Sequence, residues 1–159
     1  MTHDETKHII EYRFATPDDV GTIYDFAVAA MQDTIIPGFA QSVGVEMLER
    51  IELHPGNVLL AENVEIEKSG EIDRQIVGFI EIDATRIKEN AFYIRGIYVL
   101  HEFRRRRIGR KLLNIILEKK CIRGQQLRAE AFSSFETKFW ESLNFKRHHV
   151  SLYIMKGDQ

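Results

Sequence analysis

The chain has 159 residues, of which 44% are hydrophobic and 29% charged, and this composition is typical of one soluble globular domain. It excludes a disordered tail, a collagen-like rod and a disulfide-stapled miniprotein. The single cysteine, Cys121, excludes an intrachain disulfide, and no apolar run reaches the ~18 residues of a membrane span. The polar first segment is unlike a signal peptide, so we expect one cytoplasmic domain over residues 1–159, without a membrane partner.

The net charge of −2 conceals one strongly basic segment. Residues 104–111, RRRRIGRK, contain six of the 22 basic residues and no acid. The rest of the chain keeps 16 basic against 24 acidic residues and therefore carries about −8. A concentrated positive site on an acidic body indicates one anionic ligand. A nucleic-acid-binding face would need basic residues spread over a surface, so we expect no nucleic-acid partner.

The first half of the chain is predicted to form a strand, two helices and a hairpin. Residues 9–14 are a strand, and Thr16-Pro17-Asp18-Asp19 provides a cap, a proline and acids for a first helix. A second helix is predicted over residues 43–53. Two strands, 57–64 and 75–83, are predicted to pair around Gly70.

The second half begins with a strand over residues 92–100, in which Gly96 indicates a bulge or a site of close backbone approach. A helix follows from Ile108, with a stop at Gly124. The remaining predicted elements are a strand at 127–132, a helix capped by Ser133 and Glu136, a short strand after Asn144 and a last strand at 151–155. This order predicts an α/β (α+β) fold. Its mixed, mostly antiparallel central sheet would have six to seven strands, flanked by about four helices.

The segment most informative about chemistry is 97–113, IYVLHEFRRRRIGRKLL. In it a strand leads through an arginine-rich turn directly into an amphipathic helix. Such a turn directs unpaired backbone N–H groups and the positive end of a helix dipole at one point, which suits a phosphate or pyrophosphate. The alternative is a solvated basic loop in front of a surface helix.

This segment resembles the acyl-CoA signature of the GNAT N-acetyltransferases, a strand followed by Arg/Gln-x-x-Gly-x-Gly/Ala and a helix that starts with a leucine pair. Arg104 takes the first place of the signature, Gly109 the last, and Leu112-Leu113 the leucine pair. LRAEAFSSFETKFWESLNF is similar to the family's later strand and helix, and YRFATPDDVGTIYDFAV to its first strand and helix. The resemblance therefore covers nearly the whole chain.

The resemblance implies an N-acetyltransferase that moves an acetyl group from acetyl-CoA to a primary amine of a small molecule, peptide or protein. The amine would attack directly in a ternary complex, with no acyl-enzyme and no metal. A backbone N–H near Val99 would polarise the thioester carbonyl. The residues implied to bind acetyl-CoA are Ile97, Tyr98, Val99, Arg104, Arg105, Arg106, Arg107, Ile108, Gly109, Arg110, Ser133 and Trp140.

The proline that often follows the strand is absent, and Asn144 stands in the place of a glycine. Three further departures from the family pattern concern residues of the implied site. Arg107 stands where the signature has its first glycine, and the loop can still present its amides if Arg107 keeps a negative φ. Ser133 stands in the place of an asparagine, and Trp140 in the place of the tyrosine that often protonates the departing thiolate. Arg107 and Trp140 motivate an alternative function, a catalytically silent acyl-CoA- or nucleotide-binding module.

The predicted strands contain the candidate catalytic residues. In relatives that acetylate protein N-termini, a glutamate at the place of Arg128 serves as the base, and here Glu130 lies two residues further on the same face. Tyr98 is a candidate proton donor. Glu81 and Asp83 share one face of their strand, and they are either further candidates for the base or part of the lining of the acceptor pocket. The alternatives are a solvated acid at Glu130 and a packing role for Tyr98.

The remaining features of the sequence are less informative about function. Cys121 is interpreted as a buried small hydrophobe. Because adjacent residues on a strand point to opposite faces, His148-His149 predicts no metal site. Homodimers are common among similar folds, so a homodimer is a candidate assembly.

Overall fold

Five strands and four helices lie in the part of the chain described by a computed structural model, residues 6–32, 39–83, 91–119, 126–129 and 134–146. The strands are β1 (Lys7–Phe14), β2 (Val58–Ile66), β3 (Ile72–Asp83), β4 (Ala91–Val99) and β5 (Gln126–Ala129). The helices are α1 (Val20–Gln32), α2 (Phe39–Leu53), α3 (Ile108–Lys119) and α4 (Ser134–Ser142).

The strands form one sheet in the order β1-β2-β3-β4-β5. The first three pairings are antiparallel and the last, between β4 and β5, is parallel. A mixed, mostly antiparallel sheet with four helices is therefore confirmed. The predicted six to seven strands are not matched, because the described residues form five and those just after Asn144 are not a strand. The strand predicted at 151–155 lies outside the described residues.

The β2–β3 hairpin is longer than the hydrophobic pattern suggests. Pairing continues to Ile66 and Ile72, and Gly70 turns the chain with a φ of 86°. Consecutive polar residues at 73–75, on the outer part of the hairpin, conceal this extension, since an exposed strand need not show a hydrophobic run. The prediction of a hairpin around Gly70 is confirmed.

A β-bulge interrupts β4 at Gly96, as predicted. Glu81 of β3 pairs with Gly96 while Ile82 pairs with Ile94, so Arg95 is an extra residue on β4. A bulge changes the direction in which nearby side chains point. Arg95 consequently turns to the same side of the sheet as Glu81 and Asp83, where it contacts Asp83.

The sheet separates two hydrophobic clusters. On one face α1 and α2 pack over β2 and β3, with Ile23, Met47 and Phe79 fully buried. On the other face α3 and α4 pack against the sheet through residues such as Leu112 and Trp140. The predicted apolar face of α3 is buried there, with Ile115 partly exposed at its margin.

An ion-pair network fastens the start of α1 to the sheet. Asp19, in the short 3₁₀ turn Pro17–Asp19, accepts a hydrogen bond from the Thr16 backbone N–H at 2.8 Å. Arg13 of β1 donates to both Asp19 oxygens, at 2.7 and 2.8 Å, and to the buried Glu62 at 2.8 Å. The hydrogen bonds from Arg13 lower the pKa of Asp19 to about 2.

Candidate functional site

Near its C-terminal end, the outer edge of β4 extends beyond its described pairing with β5. Leu100 donates its backbone N–H to the Val77 carbonyl at 2.9 Å, and Val99 is paired with Gly78. Because antiparallel pairs alternate, the N–H and C=O groups of Val99 and Ile97 point away from β3. In the described chain β5 reaches only Ala129, opposite Ile94, so these groups lie beyond the described β4–β5 pairing.

Arg104 folds back onto this strand end. Its Nε donates to the Val99 carbonyl oxygen at 2.9 Å, and its backbone N–H bonds to the His101 carbonyl at 3.2 Å. The side chain of Arg104, the first arginine of the loop, is thus held against the end of β4. The next two arginines are exposed, and Arg106 lies over the Phe103 ring with its guanidinium carbon 5.0 Å from the ring centre.

Two arginines of the loop have the left-handed backbone conformation that glycine favours. Arg105 has a φ of 61° and Arg107 a φ of 62°. The condition named above for the loop, a negative φ at Arg107, is therefore not met. The chain adopts here the shape for which the family pattern uses glycine, at a cost of about 1–2 kcal/mol for a residue with a Cβ. Helix α3 starts immediately afterwards, with the Lys111 N–H bonded to the Arg107 carbonyl at 3.0 Å.

Gly109 allows close packing of α3 against α4. A Cβ at this position would lie 3.1 Å from two ring carbons of Phe139 on α4 and 3.6 Å from the Ile97 side chain. Trp140, only 6% exposed, packs behind Phe139 with ring centres 5.1 Å apart. The structure thus places Trp140 in the core, where its ring also stacks 4.9 Å from that of Phe145.

Tyr98 lies on the opposite face of β4. Its partly buried ring lies 5.0 Å from the Phe79 ring and covers Gly96, at which a Cβ would come within 2.6 Å of a Tyr98 ring carbon. Gly96 therefore makes room for the tyrosine. The bulge and the tyrosine ring form one packed unit next to the last described pair of β4 and β5.

Glu81 and Asp83 lie at one cavity, but both are held in ion pairs. Arg50 of α2 donates to the two Glu81 oxygens at 2.8 and 3.1 Å. Arg95 approaches Asp83 Oδ2 with Nε at 2.9 Å and Nη2 at 2.7 Å. Sequence reasoning missed both arginines. A charged residue within the apolar run FYIRGIYVL was the available signal for Arg95.

The remaining candidates divide between exposed positions and undescribed ones. Arg128 on β5 is exposed and donates to the Tyr93 hydroxyl oxygen at 3.0 Å. His101 is exposed beside the loop. Glu130, Ser133, Cys121 and His148-His149 lie outside the described residues. In the ranges that the structure covers, no three His, Cys, Asp or Glu side chains form a candidate metal site. None of the helices described there could cross a membrane.

Comparison with known proteins agrees with this geometry. A family model of the acetyltransferase (GNAT) domain matches residues 54–147, more than half of the chain. No curated protein matches the chain.

Solved structures share the fold. The PaiA N-acetyltransferase from Thermoplasma acidophilum, in complex with coenzyme A, is 22% identical with a TM-score of 0.63, over 87% of this chain and 90% of that one. The aminoglycoside N-acetyltransferase AAC(6')-Iy, in complex with a bisubstrate analogue, is 14% identical with a TM-score of 0.59, over 94% and 99%. A provisionally assigned acetyltransferase from Pyrococcus horikoshii is 24% identical with a TM-score of 0.61; the match covers 86% of this chain but 43% of that one.

Proposed function

Because the chain belongs to the GNAT acetyltransferase family, we propose that it transfers an acetyl group from acetyl-CoA to a primary amine, by direct attack in a ternary complex. The observation that carries this proposal is the continuity between the outer edge of β4 and the basic loop at the start of α3. An extended ligand with a phosphate-rich end fits such an arrangement. We further propose that residues 1–159 form one domain.

The loop would hold the phosphates. Arg105, Arg106, Arg107 and Arg110 have exposed side chains around the first turn of α3. The first backbone N–H groups of a helix and its dipole favour an anion at this end. In this proposal the amides from Arg107 to Gly109, including that of Ile108, face the pyrophosphate, and the arginine side chains bind the outer phosphate oxygens.

The strand edge would hold the pantetheine arm. Ile97 and Val99 offer backbone groups on the side away from β3, and the Val99 N–H would polarise the thioester carbonyl as an oxyanion donor. The Val99 carbonyl already accepts a hydrogen bond from Arg104. We therefore assign Arg104 to orienting the strand end.

The chemistry needs a base more than an acid. An amine with a pKa near 10.4 is unprotonated in only about one molecule in 10³ at pH 7. Glu130 is our candidate for the base that removes its proton, and Tyr98 is a candidate proton donor to the departing thiolate. A departing thiolate has a pKa near 8.5 and needs little help. Trp140 would accordingly have a packing role, in which it supports Phe139 against Gly109. Ser133, just before α4, would complete the residues that bind acetyl-CoA.

A calorimetric titration with acetyl-CoA, desulfo-CoA and ADP tests the binding step. We expect micromolar binding of both CoA forms and much weaker binding of ADP, because the pantetheine arm would contribute through β4. A following screen measures thiol release with primary amines. Tight CoA binding without thiol release for any amine would support the silent acyl-CoA-binding module instead.

The substitution G109D tests the loop. We expect it to abolish acetyl-CoA binding, since it places a negative charge at the start of α3, beside the pyrophosphate. The matched control is G109A, which brings the same Cβ to 3.1 Å from Phe139 without the charge and should retain most of the affinity. Unchanged acetyl-CoA affinity in a folded G109D protein would contradict the assignment of the loop.

A further inference from the structure

Three consecutive arginines in front of α3 have exposed side chains whose charge no acid neutralises. Arg105, Arg106 and Arg107 are exposed, and no carboxylate of the described chain forms an ion pair with them. By contrast, four arginines on α2 and the sheet are each paired with a carboxylate: Arg13, Arg50, Arg74 and Arg95. The charge of the three loop guanidiniums is therefore available to a ligand.

The charges around these arginines do not cancel this excess. Arg110 and Lys111, on the first turn of α3, add two exposed basic side chains. Glu102 lies in the same segment, and Glu141 on α4 is next to the carbonyl that accepts a hydrogen bond from Arg110 at 3.4 Å. Arg104 is left out of the count because it is engaged at the end of β4. Five basic side chains against these two acidic ones leave an excess of three positive charges.

A pyrophosphate accounts for only part of this excess. The pyrophosphate of coenzyme A carries about two negative charges, and in the arrangement proposed above the backbone amides and the dipole of α3 already stabilise it. A phosphate held by a single ester bond carries about −1.5 to −2 at pH 7 and has three acceptor oxygens. The remaining charge at the loop therefore matches a second, separate phosphate group.

Arg106 is held in place before any ligand binds. Its guanidinium carbon lies 5.0 Å from the centre of the Phe103 ring, and Phe103 is partly buried against the cluster under α3 and α4. A guanidinium stacked on an aromatic ring keeps its N–H groups at the edge of its plane, where they can donate to an oxyanion. Because the side chain is already ordered, binding costs it less conformational entropy.

Arg105 and Arg107 keep long side chains where the backbone favours glycine. Both have the left-handed conformation, with φ values of 61° and 62°. Residues held in such conformations are concentrated at ligand-binding sites, where their contribution offsets the strain. The Cα atoms of residues 105–107 lie within about 8 Å of one another, so the three side chains have access to one phosphate group.

Resting on the acetyl transfer proposed above, we propose that Arg105, Arg106 and Arg107 bind the 3′-phosphate on the ribose of coenzyme A and select this cofactor over dephospho-CoA. The pantetheine arm and the ribose are attached to opposite ends of the pyrophosphate. With the arm along β4, the ribose and its phosphate lie at the other end of the pyrophosphate, where the exposed arginines bind the phosphate oxygens.

The test compares two cofactors that differ in one group. CoA and dephospho-CoA, which lacks only the ribose phosphate, are titrated into the protein by calorimetry in about 0.1 M salt. We expect a Kd at least tenfold lower for CoA. The ratio of the two Kd values should fall as salt is added, because exposed charges are screened. Equal Kd values for the two cofactors would overturn the phosphate subsite and leave acetyl transfer standing.

Substitutions in the loop assign the effect to the side chains. R105G and R107G remove a guanidinium and keep a backbone conformation that glycine adopts readily, and R106A removes the stacked one. In each variant the ratio of the two Kd values should fall at least threefold, because the loss affects CoA more than dephospho-CoA. The matched control is K119Q, an exposed lysine about 18 Å further along α3, which should leave the ratio unchanged.

The variants also separate the two phosphate sites. If R105G, R106A and R107G weaken CoA and dephospho-CoA by the same factor, these arginines serve only the pyrophosphate, and the proposal is overturned.

A nucleotide fragment keeps the failure of this proposal distinct from the failure of acetyl transfer. If neither CoA form binds, acetyl transfer from CoA fails, and adenosine 3′,5′-bisphosphate is then titrated beside adenosine 5′-monophosphate. Tighter binding of the bisphosphate that is lost in R105G would still support the phosphate subsite. Equal binding of the two nucleotides, or binding of neither, would overturn it.

Discussion

Arg107 adopts the conformation of a glycine although it carries a full side chain. With a φ of 62°, followed at once by α3, it holds the turn between the strand and the helix in a left-handed shape. A residue with a Cβ loses about 1–2 kcal/mol in this region, so the surrounding structure must supply the difference. The packing of Ile108 and Gly109 at the helix start, both buried, provides it.

We expect R107G to be more stable than R107A by about 1 kcal/mol. Both variants lose the guanidinium, but alanine keeps the Cβ that conflicts with a positive φ, whereas glycine does not. The measurement is the free energy of unfolding in urea for the two variants. Equal stabilities would show that residue 107 does not have a left-handed conformation in solution.

Residue-level prediction from the sequence succeeds where local chemistry and tertiary structure agree. The bulge at Gly96 was predictable because glycine in an apolar strand marks close approach, and the Tyr98 ring supplies it. The positive φ at Arg107 was not predictable. Arginine disfavours the left-handed region, and only the geometry of the turn between strand and helix imposes it. The partners of Glu81 and Asp83 come from α2 and from the bulge, and no local pattern encodes them.

At the scale of elements, the junction of β1 and α1 depends on one carboxylate. Asp19 accepts hydrogen bonds from the Thr16 backbone and from Arg13, which also binds Glu62 on β2. The strand, the helix start and the neighbouring strand are thereby joined through a single guanidinium.

Acid should weaken this junction within a defined pH range. The pKa of Asp19 is about 2 in the folded chain and near 3.9 in an unfolded one, so its stabilisation is complete above pH 4 and is lost as the pH falls to 2. We expect D19N to be less stable at pH 7 and to lose less stability between pH 4 and 2. Unfolding in urea at a series of pH values measures this. The control is D18N, at the exposed neighbouring position, which should follow the unmodified protein. A D19N curve of unchanged slope would contradict the assignment.

The elements themselves were largely predictable from periodicity. Pro55 and Gly56 mark the end of α2 at Leu53, and the buried face of α3 follows from its helical spacing. Strand ends were less predictable, because the outer part of the β2–β3 hairpin is exposed and shows no apolar alternation. The parallel pairing of β4 with β5 also depends on the whole chain, since α3 connects the two strands.

At the scale of the molecule, two hydrophobic clusters share one sheet. Phe79 and Ile80 are neighbours on β3 that point into opposite clusters, and both are fully buried. Because β2 and β3 each contribute buried residues to both clusters, the clusters should lose their packing together. This supports the proposal of a single domain.

Urea unfolding followed with two probes tests this cooperativity. Trp140, the only tryptophan, reports on the α3–α4 face, while far-UV circular dichroism also records α1 and α2 on the other face. We expect coincident transitions with one midpoint. As a perturbation confined to the far cluster, M47A should lower both midpoints equally. Separate midpoints would indicate two independently folding units.

The alternation of β4 has a consequence for solvent exchange. Leu100 donates its amide proton to Val77 within the sheet, as antiparallel pairing also predicts for Tyr98 and Phe79, whereas Ile97 and Val99 direct theirs to the outer edge. Deuterium should enter this strand with a period of two residues, slowly at the inner amides and rapidly at the outer ones. A ligand bound along the edge would slow exchange at the outer amides as well, and the two-residue period would disappear without any movement of the backbone. Exchange in this one strand would therefore report both the fold and the occupancy of the edge.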